Sequence, residues 1–269
     1  MNGRKGKLSD QARRCIAFDC DIVCLQEVTL GTLDEWRELL ASAGYRCISS
    51  VEDHPDQALI QGRRRYLTLI AGRPEVVPHT KPLSPAWTER STSGVHRSTL
   101  GPIDVHTVHL PAGASDRADG THSKSEMFEC IAAHLAEPRE SQCVLCGDFN
   151  SPWEELPDGR VLCFGGRYDR DGKIVARRTD RYQRQLAAES SVIEGQSTHG
   201  LIDAVRKVHG VDHDRYSFVQ RRSGKAWYRR FDHVFLSAGL NPTSAHYDIA
   251  GLEEGLSDHA ALVVDFELA

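Results

Sequence analysis

Apolar positions along this chain fall into short blocks of two periodicities, one helical and one extended. Ser9 stands ahead of Asp10-Gln11-Ala12 as a candidate N-cap, and Ala12, Cys15 and Ile16 then share a helical face that ends near Asp19-Cys20-Asp21. Ile22-Val23-Cys24-Leu25 follows as a continuous apolar run, the pattern of a strand buried on both faces. Leu33, Trp36, Leu39 and Leu40 recur at helical spacing within residues 32–43, and Gly44 supplies the stop. Residues 66–70 and 103–110 read as strands. Ser123 can cap a helix with Met127, Phe128, Ile131 and Leu135 on one side, closed off by Pro138. Val144-Leu145-Cys146 is a further strand, broken at Gly147-Asp148, and residues 231–236 and 260–266 are the last two. Residues 153–200 are polar and poorly periodic, and read as a long excursion with one helix near 180–190. There is no repeat and no linker-like stretch. Strands interspersed with helices in this way predict a layered α/β domain over residues 1–269.

Composition narrows the class without naming a function. A chain of 269 residues can bury a large core without covalent help. No apolar run approaches the length of a membrane span, and the basic opening Arg4-Lys5-Gly6-Lys7 has no apolar stretch behind it to make a secretory signal. The expected compartment is therefore the cytoplasm, with the eight cysteines reduced. Cys143 and Cys146 form one C-x-x-C, but a second ligand pair at a comparable spacing is missing, which argues against structural zinc. The net charge of −5 exerts no global pull toward nucleic acid. The arginines are nevertheless clustered, at Arg63-Arg64-Arg65, at Arg177-Arg178 with Arg181 and Arg184, and from Arg221-Arg222 to Arg229-Arg230. Each cluster alone is compatible with a solvated face; together they suggest a local polyanion surface.

Chemistry enters where apolar runs terminate in acids, amides or histidines: Leu25-Gln26-Glu27, Val108-His109-Leu110, Cys146-Gly147-Asp148-Phe149-Asn150, Phe231-Asp232-His233 and Ser257-Asp258-His259. Carboxylates at the edge of a core are costly unless paired or bound to a cation, and oxygen ligands suit Mg²⁺ or Mn²⁺ better than zinc. Each piece also has a plainer reading. Gly147-Asp148-Phe149-Asn150 can be a simple turn, Asp258-His259 a cap, and His109 a satisfied core histidine. His106 and His109, three apart in one strand, must face opposite sides.

Taken in order, these segments resemble the endonuclease/exonuclease/phosphatase superfamily with its deoxyribonuclease I-like fold. The resemblance rests on residues 21–28, 107–113, Gly147-Asp148-Phe149-Asn150-Ser151-Pro152, residues 200–204 and 230–234, and Leu256-Ser257-Asp258-His259; residues 153–199 are the least family-like. It implies a four-layer sandwich of two packed mixed β-sheets flanked by helices, with the site at one end of the sheets. It further implies that Glu27 and Asp258 hold Mg²⁺ (or Mn²⁺), that Asp148 positions or deprotonates water, and that Asn150 holds the nucleophile or a phosphate oxygen. His259, oriented by Asp232, would donate to the phosphate, and His109 would be a second phosphate-facing histidine. In this scheme the cation and both histidines supply positive charge to an in-line displacement at phosphorus.

The substrate is less sharply indicated. Tyr216, Trp227 and Arg229 lie in an aromatic and basic segment ahead of Asp232, similar to nuclease members of the superfamily, and can stack on bases and hold phosphates. Phe218 and Trp227 can equally be hairpin core. The expectation is a DNA or RNA nuclease with nucleic acid as partner and no obligate protein partner. The alternatives are a phosphatase or phosphodiesterase for a small or lipid phosphate, and a catalytically silent binding protein on the same fold. Family members also open with a strand that ends in an Asn ligand. Met1-Asn2-Gly3-Arg4 matches only the tail of that motif, so the resemblance implies either a start assigned too late or a truncation that weakens the site.

Overall fold

The apolar runs become strands, and the helical blocks pack on their outer faces. The computed structural model describes residues 5–52, 58, 60–62, 65–83, 87–113, 123–211 and 215–269. In chain order the elements are α1 (Leu8–Ala17), β1 (Ile22–Val28), α2 (Leu33–Ser42), β2 (Arg46–Ser49), β3 (Leu67–Gly72), β4 (Val76–Pro78), β5 (Ser91–Ser98), β6 (Gly101–His109), α3 (Ser123–Ala136), β7 (Gln142–Asp148), β8 (Glu154–Glu155) and β9 (Val161–Leu162). They continue with β10 (Gly166–Tyr168), β11 (Ile174–Ala176), α4 (Asp180–Ile193), α5 (Gln196–His199), β12 (Leu201–Asp203), α6 (Ala204–His209), β13 (Phe218–Arg222), β14 (Lys225–Arg229), β15 (Asp232–Ser237), β16 (Leu240–Asp248), α7 (Ile249–Glu253) and β17 (Ala261–Leu268).

One mixed sheet of six strands, in the order β12-β15-β7-β6-β5-β4, forms the centre, with β6 and β7 parallel and the other pairs antiparallel. Alternation along β7 shows why two layers form on it. Cys143 and Leu145 enter one apolar cluster with Met127, Phe128 and Ile131 of α3, while Val144 and Cys146 enter another with Ile70 of β3. That second cluster also takes Ile22 and Cys24 from β1 and Val264 and Phe266 from β17. The second layer therefore consists of β2-β3-β1 and β16-β17. Outside it lie α1 and α2, whose Leu8, Ala12, Trp36 and Leu40 pack with Leu25, Leu67 and Leu69. The architecture is a mixed α/β sandwich of sheets flanked by helices.

Three sequence expectations change. Ser9 is not the cap of α1: the helix begins at Leu8, Lys7 occupies the N-cap without a side-chain cap bond, and the Lys7 ammonium donates instead to the Gly255 carbonyl. Residues 153–199 are more than an excursion. They form two short ribbons, β8-β9 and β10-β11, and their Val161, Cys163, Ala188, Val192 and Ile193 join the α3 cluster. The reason is a buried polar seam that a periodicity reading scores as solvent-facing: Gln185 and Glu189 are fully buried, with Ser151 donating to Glu189 at 2.6 Å. Arg230 is also not part of a phosphate-facing surface. It is 4% exposed and ion-paired to Asp203 at 2.8 Å and to Glu155 at 2.5 Å. Arg184 likewise pairs with Glu129 at 2.6 Å, and Arg63 and Arg64 lie outside the described residues. All eight cysteines are free thiols, and Cys143 and Cys146 point to opposite faces of β7, so they cannot share an ion. Among the described residues no helix is long and apolar enough to cross a membrane.

Candidate active site

The ends of three neighbouring strands bring the acids and histidines together. His109 of β6 stands opposite Asp148 of β7 in the parallel register, and Asp148 stands opposite Asp232 of β15. Gly147 makes this approach possible: its φ is +131°, and a Cβ there would lie 2.0 Å from the Val108 carbonyl oxygen. His106 faces the other way, against His134 and His79, as strand alternation requires.

From the second layer, β1 delivers Glu27 through an irregularity. Its register with β3 shifts between Leu25 and Val28, and Glu27 adopts φ +60°. A left-handed non-glycine residue costs about 1–3 kcal/mol, and a bulge of this kind re-aims a side chain that alternation would send elsewhere. Here the Glu27 carboxylate comes within 3.8 Å of His109 Nε2, which is itself 3.7 Å from Asp148 Oδ2. Asn150 also has a positive φ, +49°, and its side-chain amide donates to the Leu110 carbonyl and to Asp148 Oδ2, at 2.8 and 2.9 Å.

From the loop ahead of β17, His259 presents Nδ1 to Asp232 Oδ2 at 2.7 Å. Its ring packs on Phe218 at 4.9 Å, and Phe218 stacks on Phe231. Ligand atoms of Asp148, Asp232 and His259 all lie within 4.8 Å of one another. Glu27 joins this group by way of His109, and Asp258 precedes His259 in the same loop.

The electrostatics divide the two histidines. Burial works against a charge on His259, but Asp232 and Asp148 more than offset it and raise the imidazole to about 10. Burial, reinforced by the Arg90 guanidinium, holds His109 well below the usual histidine range. The two histidines are thus pulled in opposite directions, His259 toward its charged form and His109 toward its neutral form, with the Arg90 guanidinium beside His109. Burial also pushes the Asp148 carboxyl up to about 7; His259 opposes the rise, and Asp232 and Glu27 add to it. A cluster of acids that are buried and crowded by their own charge is the donor chemistry a hard divalent cation relieves. The residues present fit a divalent cation.

Arg90, Tyr66 and Lys124 were not visible as site residues in the sequence. Arg90 Nη1 lies 3.1 Å from His109 Nδ1, and its guanidinium sits over the Trp87 ring at 5.2 Å. Tyr66 packs against His109 at 5.8 Å. Lys124, wholly buried, donates to the backbone carbonyls of Asn150 at 2.8 Å and Gly113 at 3.0 Å, which fixes the turn that carries Asn150. A lysine at a core-facing position of α3 was the one available signal.

The aromatic and basic segment forms the ribbon β13-β14. Phe218 pairs with Arg229 and Gln220 with Trp227, so Trp227 and Arg229 share the ribbon face of Phe218. The Arg229 guanidinium lies over Trp153 at 4.3 Å. Tyr216 packs instead on Tyr228 at 4.7 Å, and Tyr228, on the other face, is 54% exposed.

Known proteins place this architecture. The family model described as Endonuclease/Exonuclease/phosphatase family matches residues 1–259. No curated protein matches significantly. Among solved structures, an AP endonuclease from Archaeoglobus fulgidus superposes with a TM-score of 0.68 at 20% identity, covering 99% of this chain and 96% of that one. TDP2 from D. rerio, complexed with single-strand DNA product, gives 0.63 at 16% identity over 98% and 94%. A variant of the 3' phosphatase NExo from Neisseria, bound to a product DNA hairpin, gives 0.62 at 19% identity over 99% and 96%. At these identities the likeness establishes the fold, and the family match over nearly the whole chain supplies the rest: this chain belongs to the endonuclease/exonuclease/phosphatase family.

Proposed function

We propose that the chain is a divalent-metal-dependent phosphodiester hydrolase acting on nucleic acid. The observation that carries the reading is the convergence of Asp148, Asp232 and His259 within 4.8 Å on adjoining strand ends, with Glu27 turned toward them. Glu27 and Asp258 would hold Mg²⁺ or Mn²⁺, which when bound neutralises phosphate charge. Asp148, oriented by the Asn150 amide, takes the proton from the attacking water. His259, held by Asp232, donates a charged hydrogen bond to a non-bridging phosphate oxygen as negative charge grows there. His109, backed by Arg90, flanks the same oxygens from the opposite side. Trp227 and Arg229 would take a base and a phosphate along the strand, with Tyr216 bracing the outer face of the ribbon. That similar structures carry DNA products supports nucleic acid as the substrate class.

The test is a cleavage panel of supercoiled plasmid, linear duplex, abasic duplex, single-stranded RNA and bis-p-nitrophenyl phosphate, with Mg²⁺, Mn²⁺ or EDTA. Cleavage of at least one polymer that EDTA abolishes is expected. Undiminished hydrolysis in EDTA sinks the metal assignment, and turnover of the small diester alone sinks the polymer. Arg229→Ala should weaken polymer binding and flatten its salt dependence, while the small diester is unaffected.

A further inference from the structure

The reacting groups lie in a row across the ends of neighbouring strands. Tyr66, just ahead of β3, packs on His109 of β6 at 5.8 Å, and His109 Nε2 is 3.7 Å from Asp148 of β7. Asp148 stands opposite Asp232 of β15, His259 Nδ1 is 2.7 Å from Asp232, and the His259 ring packs on Phe218 at 4.9 Å. Two strand spacings of about 4.8 Å separate β6 from β15, and the ring contacts add about 5 Å at either end, so the row is about 20 Å long. Its two ends carry the same device. Beyond His109, the exposed Arg65 lays its guanidinium over the Tyr66 ring at 4.4 Å and donates to the Tyr66 hydroxyl at 2.6 Å. Beyond His259, Arg229 stands opposite Phe218 in the β13-β14 ribbon and lays its guanidinium over Trp153 at 4.3 Å. Among the described residues the other bonds of these two guanidinium groups go to the backbone carbonyls of Gly62 and Tyr228, and neither is ion-paired to a carboxylate. Arg184 and Arg230, by contrast, are each paired with acids. A guanidinium held by a ring rather than by a carboxylate keeps its charge and its fork of N–H donors for an incoming phosphate.

We propose that Arg65, held by Tyr66, forms a second phosphate-binding subsite on the flank of the catalytic row opposite Arg229, so that a nucleic acid strand is gripped on both sides of the bond cleaved. The subsite rests on the proposed action on nucleic acid and adds to it the mode of attack. Tyr66 is itself fixed by His109 and by Arg90, whose guanidinium lies 5.9 Å from its ring, so Arg65 is presented from a rigid support. At about 3.4 Å per nucleotide a row of about 20 Å spans roughly six nucleotides. Asp148 lies inside that span, one strand from His109 and one from Asp232. Removal of a terminal nucleotide needs contacts along one flank only. Contacts on both flanks place the scissile phosphate in the interior of a chain, which makes the cleavage internal.

The experiment uses the 269-residue protein with Mg²⁺ or Mn²⁺ on closed single-stranded circles of DNA and of RNA, and on the same molecules linearised. Closed circles should be opened. The log–log salt dependence of kcat/KM on the circles should lose about 0.7 of its slope in Arg65→Ala, as much in Arg229→Ala, and about twice that in the double variant, since each phosphate contact to a single strand releases counterions to that extent. Arg65→Lys, which keeps the charge, should keep the slope. Oligonucleotides with one cleavable phosphodiester and uncharged methylphosphonate linkages along one flank separate the two ends. Arg65→Ala should slow cleavage only when one flank carries the charge, and Arg229→Ala only when the other does. Three results overturn the subsite while leaving nucleic acid as the substrate: linear strands shortened from their ends while circles persist, an unchanged salt slope in Arg65→Ala, or both variants acting on the same flank. Failure to cleave any polymer with either metal removes nucleic acid as the substrate, and the subsite with it.

Discussion

Replacing Arg230 by Met tests whether the acid that orients His259 depends on a buried ion-pair network directly behind it. Arg230 precedes Phe231-Asp232, is 4% exposed, and donates to Asp203 at 2.8 Å and to both Glu155 oxygens through Nε at 3.0–3.1 Å. Removing one partner of a buried pair costs about 3–5 kcal/mol, because the remaining charges stay buried without compensation. Here the residual acids keep some partners. Asp203 still accepts from the Arg206 amide at 3.0 Å and faces His233 Nδ1 at 3.3 Å, while Glu155 keeps Arg206 at 2.9 Å. The expected loss is therefore at the lower end, about 3–4 kcal/mol. At roughly 2–4 °C per kcal/mol for a chain of this size, the midpoint should fall by about 6–16 °C. Urea unfolding followed by far-UV circular dichroism measures the free-energy change, and a thermal scan measures the midpoint. In an Asp203→Asn background the same Arg230→Met change should cost at least about 1 kcal/mol less, since contacting charges couple. The pH dependence has a defined sign. Burial acts to raise the Asp203 carboxyl, but Arg230 and His233 outweigh it and leave it below the usual carboxylate range. A depressed folded value gives stability that is present above the unfolded value of about 3.9 and is lost as pH falls below it. Arg230→Met should therefore shrink the acid-side loss. A stability change under about 1 kcal/mol, or strict additivity with Asp203→Asn, would refute the reasoning.

Asp148→Asn and His259→Ala should each lower the catalytic rate by at least about 10² without unfolding the protein, read by steady-state kinetics beside circular dichroism; a near-wild-type rate removes the role given to that residue. Gly147→Ala should destabilise by more than about 1 kcal/mol, because its Cβ meets the Val108 carbonyl at 2.0 Å and its φ is +131°; equal urea midpoints for the two proteins would contradict this. His106 is lowered to about 3, first by burial and then by His134 and His79. A depressed histidine gives stability that is complete above about pH 6.5 and is lost toward pH 3, at about 1.4 kcal/mol per pH unit. His106→Gln should flatten that slope between about pH 6.5 and 4, and an unchanged slope would assign the acid sensitivity to other groups.

Much of the strand framework is legible in the sequence, because a strand buried on both faces has to be apolar along its length. Residues 144–146 carry that demand openly and are buried in β7, whereas residues 22–25 form β1 as read but only Leu25 among them is buried, residues 22–24 being half-buried. Alternation also decides, before any coordinates, that His106 and His109 face opposite sides, and His106 does pack on α3 while His109 faces Glu27. Local sequence cannot specify what depends on approach from elsewhere in the chain. Glu27 reaches the site only through a bulge with φ +60°, which alternation alone would not give. Arg90 and Lys124 are polar letters between strands or on a helix, and they become buried cations only when β6, α3 and the Asn150 turn close over them. Arg229 and Arg230 are adjacent and chemically identical. One lies over Trp153 on the ribbon and the other inside an ion-pair network, because the strand end between them turns from ribbon to core. The sequence determines which segments must be buried and which acids stand at their ends. Which of those charges find partners, and which are left facing a substrate, is decided only by tertiary packing, since the cost of burying a charge depends on what surrounds it.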